Sequence, residues 1–386
     1  MTKTCTMLSL VVLALTLTAA AQMDNPRVRA IYESAASIPT NVEGIHMFPE
    51  PPVGFKPLTA SDEELAAYGF PPRPDKTEDP HGYEVWARVM SIPAKRWYGE
   101  LKPSKAHSTL ANRALSRPPA QVLESSATPA NEPNWSGVLN TISGTTFSTK
   151  TSFCCVAAEF VVPQPQQAFN GSGGNICDGN TDQASFWVGQ GGAPGPLLGN
   201  QNNIAQTGVD ILATCNNSDG GAYAWMEWFP AASQQLFNVS AGDDIYVSVN
   251  VTSSTSGLFN IIDETSQIGQ AFHISAPVSD SCGGQCELVG NEAEYIVERP
   301  AVGCNTCYTP LANYIWSLWD FARSKTFSKV YHYPGSSSSS TFVISMTDDA
   351  GDQIISAPTV GTAGTLGLEG MFVQDEHCAR VGGCTP

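Results

Sequence analysis

The chain has 386 residues, 42% of them hydrophobic, and a formal net charge of −17 at pH 7. It is long enough to bury a sizeable core. Its acidic balance provides no basic surface for nucleic acid or for an anionic membrane, so we exclude both as partners.

The first 21 residues have the pattern of a secretory signal peptide. Lys3 precedes an apolar run from Met7 to Leu17, and the small residues Ala19–Ala21 follow. A run of this length is too short to span a bilayer, and no later stretch is apolar enough to do so. We therefore expect cleavage after these small residues and a secreted, extracellular protein.

Residues 22–130 are predicted to form a proline-rich propeptide that ends in a linker. Short helical patterns lie at Ser61–Tyr68 and Tyr83–Met90, and a Ser-, Pro- and Ala-rich stretch from Ser116 to Pro133 is typical of a cleavable linker. The segment carries 12 Lys and Arg against 13 Asp and Glu. We hypothesise that its basic side chains bind the following acidic domain near neutral pH and release it in acid. A binding or spacer domain is the alternative.

Residues 131–386 are predicted to form one all-β domain, an antiparallel two-sheet β-sandwich. This part has only 6 Lys and Arg against 23 Asp and Glu, so acid, which relieves the repulsion between carboxylates, suits it. Turns rich in Gly, Asn and Ser separate runs of alternating or β-branched residues. The predicted strands are Phe160–Pro163, Ser185–Gly189, Ile245–Thr252, Glu294–Glu298 and Ser340–Met346. The stretch Ala312–Arg323 fits either a helix or an aromatic-rich strand with a turn.

Ten cysteines follow the predicted signal peptide, and all lie in the β-domain. They are Cys154, Cys155, Cys177, Cys215, Cys282, Cys286, Cys304, Cys307, Cys378 and Cys384. An even number in an exported domain favours disulfides and leaves their pairing open. The spacing of the four cysteines between 282 and 307 resembles a zinc ribbon, but no histidine lies nearby and export favours disulfides. We expect no metal.

The β-domain lacks the signatures of the common hydrolases. It has no His-Glu-x-x-His motif of zinc peptidases and no Gly-x-Ser-x-Gly elbow of serine hydrolases. Neither Asp-Thr-Gly nor Asp-Ser-Gly occurs, so the usual paired carboxylates of pepsin-like enzymes are missing. Ten candidate disulfide partners leave no cysteine obviously spare as a nucleophile.

Three segments place polar side chains on one face if each segment is an extended strand, because side chains alternate between the faces. The residues that share these faces are Gln206 and Asp210 in the first segment, Trp225 and Glu227 in the second, and Glu298 in the third. Neighbouring strands would then present an amide, carboxylates and aromatic walls to one groove. Trp187, in another predicted strand, could provide a further wall.

These side-chain types suffice for peptide hydrolysis, which needs a base for water, a donor for the oxyanion and an acid for the leaving amine. A glutamate, with an ordinary pKa of about 4, is available as a base in mild acid and can return the proton to the amine. A glutamine side chain both donates and accepts hydrogen bonds. It can hold the water and stabilise the tetrahedral intermediate, where one donor is worth roughly 3–4 kcal/mol.

Five short blocks resemble the acid-acting glutamic peptidases, the eqolisins, in identity and in order. The blocks are Asn134-Trp-Ser-Gly137, Trp187-Val-Gly189, Gln206-Thr-Gly208, Trp225-Met-Glu-Trp-Phe-Pro230 and Ala293-Glu-Tyr-Ile-Val-Glu298. The resemblance covers residues 134–300 well. It is specific because five blocks agree rather than one.

The resemblance implies a concanavalin- or lectin-like sandwich that cleaves polypeptides without a metal, a cofactor or a covalent nucleophile. It implies Gln206 and Glu298 as the catalytic pair, since the second glutamate of the last block aligns with the family's catalytic glutamate. The supporting residues around them are Trp187, Asp210, Trp225 and Glu227. We expect a monomer that is made as a zymogen and inhibited by its own propeptide.

Two departures from the family pattern lie close to the predicted site. Gly191 stands where the family commonly has aspartate, and Arg299 follows Glu298 where the family is usually acidic. The final 80 or so residues match only loosely and carry additional aromatics, notably Trp316 and Trp319. We expect them to complete the sandwich with altered loops.

Two other functions remain open for a secreted β-sandwich. One is a carbohydrate-binding module that uses surface tryptophans as platforms. The other is a glycosidase that uses Glu227 and Glu298, whose carboxyl groups would then lie about 5–5.5 Å apart, or about 6.5–9.5 Å apart for an inverting enzyme.

Overall fold

The computed structural model describes residues 22–104, 128–167, 181–192, 203–214, 217–301, 308–312, 314, 316–327, 330–332, 340–347, 354–360 and 371–375. The predicted signal peptide and most of the predicted linker lie outside these ranges, so both stay predictions. Six of the ten cysteines also lie outside them.

Three α-helices and four short strands make up the N-terminal segment, residues 22–104. In chain order they are α1 Pro26–Ala35, β1 Ile38–Pro39, β2 Ile45–Met47, α2 Asp62–Ala67, α3 Pro80–Met90, β3 Lys95–Arg96 and β4 Lys102–Pro103, after a 3-10 turn at Gln22–Asp24. Ser61 and Glu64 form a capping box at the start of α2. Asp79 caps α3 through the backbone N–H of Gly82. The two predicted helices, Ser61–Tyr68 and Tyr83–Met90, are confirmed.

The described part of the β-domain consists of strands and turns. The strands are β5 Thr128–Glu132, β6 Trp135–Thr141, β7 Phe153–Val161, β8 Asp182–Gln190, β9 Ile204–Thr214, β10 Asn217–Phe229, β11 Gln234–Val239, β12 Asp244–Ser253, β13 Ser256–Asp263, β14 Ile268–Ser275, β15 Val278–Ser279, β16 Gly284–Gln285, β17 Glu292–Glu298, β18 Trp316–Thr326, β19 Val330–His332, β20 Ser340–Thr347, β21 Ile354–Val360 and β22 Met371–Asp375. A 3-10 turn, Asp280–Cys282, connects β15 to β16.

Hydrogen-bonded strands form the two layers of a β-sandwich. The first layer has the order β4-β11-β10-β9-β8-β17-β6-β20. The second has the order β22-β18-β7-β12-β13-β14-β2. β21 pairs with β20 and with β22, and so joins the layers. All these pairings are antiparallel, which confirms the predicted two-sheet sandwich.

Alternation along the strands of the first layer separates two apolar clusters. On β8, Phe186 and Val188 face the core between the layers. The ring centroid of Phe186 lies 6.2 Å from that of Phe160 on β7. Trp187 and, on β17, Ile296 belong to a second cluster on the opposite face. We call this opposite face the site face, because the predicted site residues lie on it.

All five predicted strands overlap observed ones, and the alternative left open for Ala312–Arg323 is resolved. Residues 316–323 of the segment form the first part of β18, so the helical interpretation is wrong and the aromatic-rich strand is confirmed. Trp319 of β18 is fully buried with its ring 4.7 Å from that of Phe160. Ser317 and Trp319 are buried whereas Leu318 and Asp320 are partly exposed, an alternation that suits a strand between two neighbours.

The N-terminal segment packs on the outer face of the second layer and adds a strand to an edge of each layer. β2 pairs with β14, and β4 pairs with β11. From α3, Trp86 and Val89 pack against Ala157 and Tyr246. Each buried apolar side chain of this size contributes roughly 1.5–3 kcal/mol, so the segment is a packed element of the fold.

Two disulfides lie within the described residues, Cys154–Cys155 and Cys282–Cys286. They confirm the disulfide interpretation for these four cysteines. Among the residues that the structure describes, no group of three or more His, Cys, Asp or Glu side chains could hold a metal ion. No helix in the same ranges has the length and hydrophobicity needed to span a membrane.

Candidate active site

A row of four polar residues crosses the site face from strand to strand. Glu298 on β17 lies opposite Ser185 on β8, and Ser185 lies opposite Asp210 on β9. Asp210 in turn lies opposite Tyr223 on β10. Four neighbouring strands therefore bring these side chains together from distant parts of the chain.

A parallel row on the same face contains the predicted catalytic amide. Gln206 on β9 lies opposite Gly189 on β8 and opposite Glu227 on β10. Gln206 lies four residues before Asp210 on the same strand, and β8 separates β9 from β17. The two predicted catalytic residues thus lie on one face but in different rows.

The two predicted aromatic walls lie between these rows. Trp187 and Trp225 lie on either side of Gly208, and both indoles are fully buried. A Cβ atom at Gly208 would lie 2.7 Å from the Cβ of Trp187, closer than side chains pack. The glycine therefore lets β8 and β9 approach each other beneath the two indoles.

The amide of Gln206 is held by a carboxylate. Its Nε2 donates a hydrogen bond to Oε2 of Glu227, and both side chains are buried. Oε1 of Gln206 is buried and has no hydrogen-bond partner among the described residues. A carboxylate accepts hydrogen bonds, so the amide nitrogen of Gln206 faces Glu227. The carbonyl oxygen of Gln206 can then accept a hydrogen bond from another group.

Glu298 is fully buried, and side chains donate hydrogen bonds to both of its carboxylate oxygens. Nδ2 of Asn134 donates to Oε1 at 3.3 Å, and Nε1 of Trp187 donates to Oε2 at 2.9 Å. The Trp187 ring is held edge-on by Trp135, with ring centroids 5.2 Å apart. Neighbours on β8 and at the start of β6 therefore fix the orientation of the carboxylate.

Asp210 is a buried carboxyl with several hydroxyl neighbours. Ser185 donates to its Oδ1 at 2.5 Å, and Ser104 donates to its Oδ2 at 3.4 Å. Burial raises the pKa of Asp210 to about 7; the charge of Glu298 adds to the rise, and hydrogen bonds, chiefly from Ser185 and Tyr223, oppose it. Below about pH 7, Asp210 is therefore protonated and neutral.

The raised pKa of Asp210 predicts that the protein becomes less stable as the pH rises. An unfolded aspartate has a pKa of about 3.9 and the folded one about 7, so the folded state binds the extra proton between these values. Stability is therefore lost as the pH rises from about 4 through about 7, by roughly 4 kcal/mol. Urea unfolding near pH 4 and pH 8 should show a loss that is roughly 4 kcal/mol smaller in Asp210→Asn than in the wild type, because other buried carboxyls such as Glu264 contribute equally to both proteins. Equal pH dependence in both proteins would contradict the assignment.

The structure explains both departures from the family pattern. Gly191 has a φ of 91°, and a Cβ there would lie 2.8 Å from the carbonyl oxygen of Asn203, so aspartate does not fit. Arg299 is 6% exposed, and its guanidinium lies 5.0 Å from the centre of the Tyr308 ring. Its positive charge is thus engaged by an aromatic face.

Four residues of the site were missing from the predicted set: Ser104, Asn134, Ser185 and Tyr223. Asn134 is the first residue of a quoted block, Ser185 is the first residue of a predicted strand, and Tyr223 shares an alternating face with Trp225, so motif position and alternation mark all three. Ser104 comes from the N-terminal segment. No local pattern marks it.

Comparison with known proteins identifies relatives of the β-domain. A sequence model described as the Peptidase A4 family matches residues 133–356. The chain is 31% identical over 171 residues to scytalidopepsin B of Scytalidium lignicola, which covers 43% of this chain and 52% of that protein. It is 32% identical over 155 residues to aspergillopepsin-2 of Aspergillus niger, covering 37% and 50% respectively. The chain thus spans about half the length of the curated relatives it matches.

Solved structures with a similar arrangement carry related names. One is scytalido-glutamic peptidase with a transition state analog inhibitor, with a TM-score of 0.46, 22% identity, and coverage of 63% of this chain and 98% of that one. Another is aspergilloglutamic peptidase from Aspergillus niger, with a TM-score of 0.40, 21% identity, and coverage of 50% and 99%. Because the family match extends over more than half of its residues, this chain belongs to the Peptidase A4 family.

Proposed function

We propose that this protein is a secreted, acid-acting endopeptidase of the glutamic type that is made in a latent form. Residues 1–21 would be the signal peptide, 22–130 the propeptide with its linker, and 131–386 the peptidase domain, acting as a monomer. Glu298 and Gln206 would form the catalytic pair, and the substrates would be polypeptides.

One observation carries the proposal: a buried carboxylate and a buried amide lie on one face, each fixed by other side chains. Glu298 is fixed by Asn134 and Trp187, and Gln206 by Glu227. Fixed polar groups in a site shielded from water are what stabilisation of a transition state requires. Because the chain belongs to the Peptidase A4 family, we assign peptide hydrolysis to this pair of residues.

The proposed reaction balances protons within this pair. Glu298 takes a proton from a water whose oxygen attacks the carbonyl carbon of the peptide. Oε1 of Gln206 accepts a hydrogen bond from that water, and the N–H that is not donated to Glu227 stabilises the oxyanion. As the C–N bond breaks, Glu298 returns its proton to the leaving amine and is regenerated.

The state of Asp210 supports action in acid. While Asp210 is neutral, the charge of Glu298 has no second negative charge beside it in its row. Above about pH 7, Asp210 loses its proton and a buried repulsion arises. We therefore expect activity to fall as the pH rises through about 7, because the second charge changes the surroundings of Glu298.

Burial of the site supports a latent full-length chain. Gln206, Glu298 and both flanking indoles are 0% exposed, so a polypeptide cannot reach them in this state. Ser104 of the N-terminal segment is itself fully buried against Asp210. We therefore propose that the segment inhibits the site until it is displaced or cut.

Arg88 of α3 and Glu33 of α1 join the N-terminal segment to the β-domain. Arg88 of α3 pairs with Glu159 and Glu264. Burial, and then the neighbouring Glu159, raise the pKa of Glu264 to about 9, so Glu264 is already protonated near neutral pH. Glu33 of α1 pairs with His273 at 2.9 Å, and against the effect of burial the hydrogen bonds to Glu33 lower its pKa to about 2, so Glu33 keeps its charge in acid above that pH. Acid should thus leave this contact of α1 with the β-domain in place.

Replacing Arg88 with methionine should lower the free energy of unfolding by about 2 kcal/mol near neutral pH, because it leaves buried carboxyls without their cation. The loss should grow toward about pH 10, because Glu264, whose pKa is about 9, then becomes ionised beside Glu159 and Arg88. Urea unfolding at the two pH values measures this. Arg27→Met is the matched control, since Arg27 is largely exposed and 4.0 Å from Glu63. A loss that does not depend on pH would show that packing, not charge, is responsible.

Cleavage of a denatured protein from about pH 2 to pH 7 by the full-length chain tests the proposed function. We expect acid-limited proteolysis, after a lag for release of the N-terminal segment, that chelators do not abolish. A folded, secreted protein that cleaves nothing across this range would overturn the proposal.

The two other functions have less support. Within the described ranges no tryptophan is among the exposed large hydrophobic residues, so a platform for sugars is missing there. Glu227 and Glu298, the pair required by a glycosidase, lie in different rows and have different partners. A glycosidase would also assign no chemical role to Gln206.

A further inference from the structure

Ser104 fills a polar pocket on the site face. Its hydroxyl lies 2.9 Å from that of Tyr223 and 3.4 Å from Oδ2 of Asp210, whose other oxygen accepts from Ser185. All four side chains are at most 6% exposed. This pocket, formed by Ser185, Asp210 and Tyr223, belongs to the row that contains Glu298.

Ser104 reaches the pocket in the way that an extended polypeptide binds a sheet. The preceding strand β4 pairs antiparallel with β11, with Pro103 opposite Gln234. The backbone N–H of Ser104 then donates to the carbonyl oxygen of Ser233 at 2.8 Å. Main-chain hydrogen bonds at a sheet edge combined with a side-chain pocket are a common mode of peptide recognition.

We propose that this pocket is a substrate subsite that selects a small hydroxyl-bearing side chain, serine or threonine, and that Ser104 occupies it in the latent protein as a substrate would. This inference rests on the proposed peptidase function and adds the side-chain preference of one subsite.

The chemistry of the pocket favours a hydroxyl over other small side chains. A hydroxyl can donate to one of the two polar neighbours and accept from the other. An alanine would leave Asp210 and Tyr223 with one partner fewer in a buried site, which is costly. Sites built to hydrogen-bond a hydroxyl reject analogues that lack it. In acid Asp210 is neutral, so the pocket offers no ionised carboxylate to a lysine side chain.

Peptide cleavage provides the first arm of the test. The full-length protein is incubated in acid with a peptide library, and the cut bonds are identified by mass spectrometry. One position relative to the cut bond should favour serine or threonine over alanine by roughly 10-fold in kcat/KM. Tyr223→Phe should reduce this preference to less than about 3-fold without changing the preferences at other positions.

Hydrogen exchange of the full-length chain near neutral pH provides an arm that needs no catalysis. Ser104→Ala should speed exchange of the amides in residues 99–104 by roughly 10-fold, as should Tyr223→Phe. The double variant should be no faster, because both changes remove one shared interaction. Ser91→Ala removes an exposed hydroxyl that bonds Ala87 within α3 and should have no effect on these amides.

The outcomes separate this inference from the proposed function. A chain that cleaves no peptide at any pH overturns the peptidase function. A chain that cleaves without a serine or threonine preference, or with one that Tyr223→Phe leaves intact, overturns only the subsite. Unchanged exchange in Ser104→Ala likewise overturns selection of the hydroxyl.

Discussion

Substitution of Glu298 by glutamine is expected to lower kcat/KM for peptide hydrolysis by roughly 1000-fold or more. The amide keeps the size of the side chain and can still accept from Trp187, but it cannot take a proton from water. In the proposed reaction no other group takes that proton. Initial rates with an internally quenched peptide, measured across the acid range after maturation of the full-length chain, give the effect.

The other glutamate of the same block provides a matched control. Glu294 lies on the same strand and face, is equally buried and lies opposite Gly189. Glu294→Gln should cause a far smaller loss of activity, because no proton passes through this residue in the proposed reaction. Equal losses in the two variants would point to a general effect of buried charge. Full activity of Glu298→Gln would show that the assignment of the base is wrong.

Substitution of Gln206 by alanine should cost roughly 100- to 1000-fold in kcat, the usual effect of removing one donor to an oxyanion. The change also removes the acceptor for the attacking water and leaves Glu227 without the amide that binds it. KM should change less than kcat, since the amide acts chiefly on the transition state. Single-turnover rates with the same quenched peptide separate the two constants.

Two further variants identify the cause of that loss. Glu227→Gln removes the charge beside Gln206 and keeps the catalytic amide, so its activity should fall much less. Gln206→Glu places a second carboxyl against Glu227, where one of the two must hold a proton, and should be inactive. High activity of Gln206→Glu would instead indicate a mechanism with two carboxylates and would contradict the glutamine–glutamate pair.

Strand alternation explains why the β-domain was predictable from sequence. On β17, Tyr295 and Val297 face the core between the layers while Glu298 faces the opposite side, as a period of two requires. The same pattern on β8 separates Phe186 from Trp187. Apolar residues at alternate positions mark the face of a strand that packs in the core between the layers. The local sequence therefore predicts both the strand and which of its faces points to the core.

Elements whose neighbours are distant in sequence were less predictable. β18 is rich in aromatic residues that suit a helix or a strand, and its pairing with β7 and β22 selects the strand. Helix α1 was missed although Asn25 caps it and Pro26 occupies its first turn, two signals that sequence does carry. Its packing comes from Val28 and Tyr32 against the β-domain.

Sequence motifs predicted part of the candidate site, and the rest depends on contacts between strands that are distant in the sequence. Gln206 and Glu298 lie in short blocks with a recognisable context, and alternation correctly placed Trp225 on their face. The bond from Gln206 to Glu227 depends on the register between β9 and β10, which sequence does not specify. The contact of Ser104 with Asp210 joins residues 106 positions apart, beyond the reach of any local pattern.

The strands that the N-terminal segment adds to the sandwich have a consequence for solubility. If the segment leaves, β11 loses β4 and β14 loses β2, so each layer gains an open edge. Open edges are templates for intermolecular pairing, and mutual repulsion between negatively charged molecules opposes such pairing. Residues 131–386 carry 23 acidic side chains against 6 basic ones, but acid neutralises that charge. The conditions that release the segment therefore also remove the repulsion that would keep the matured molecules apart.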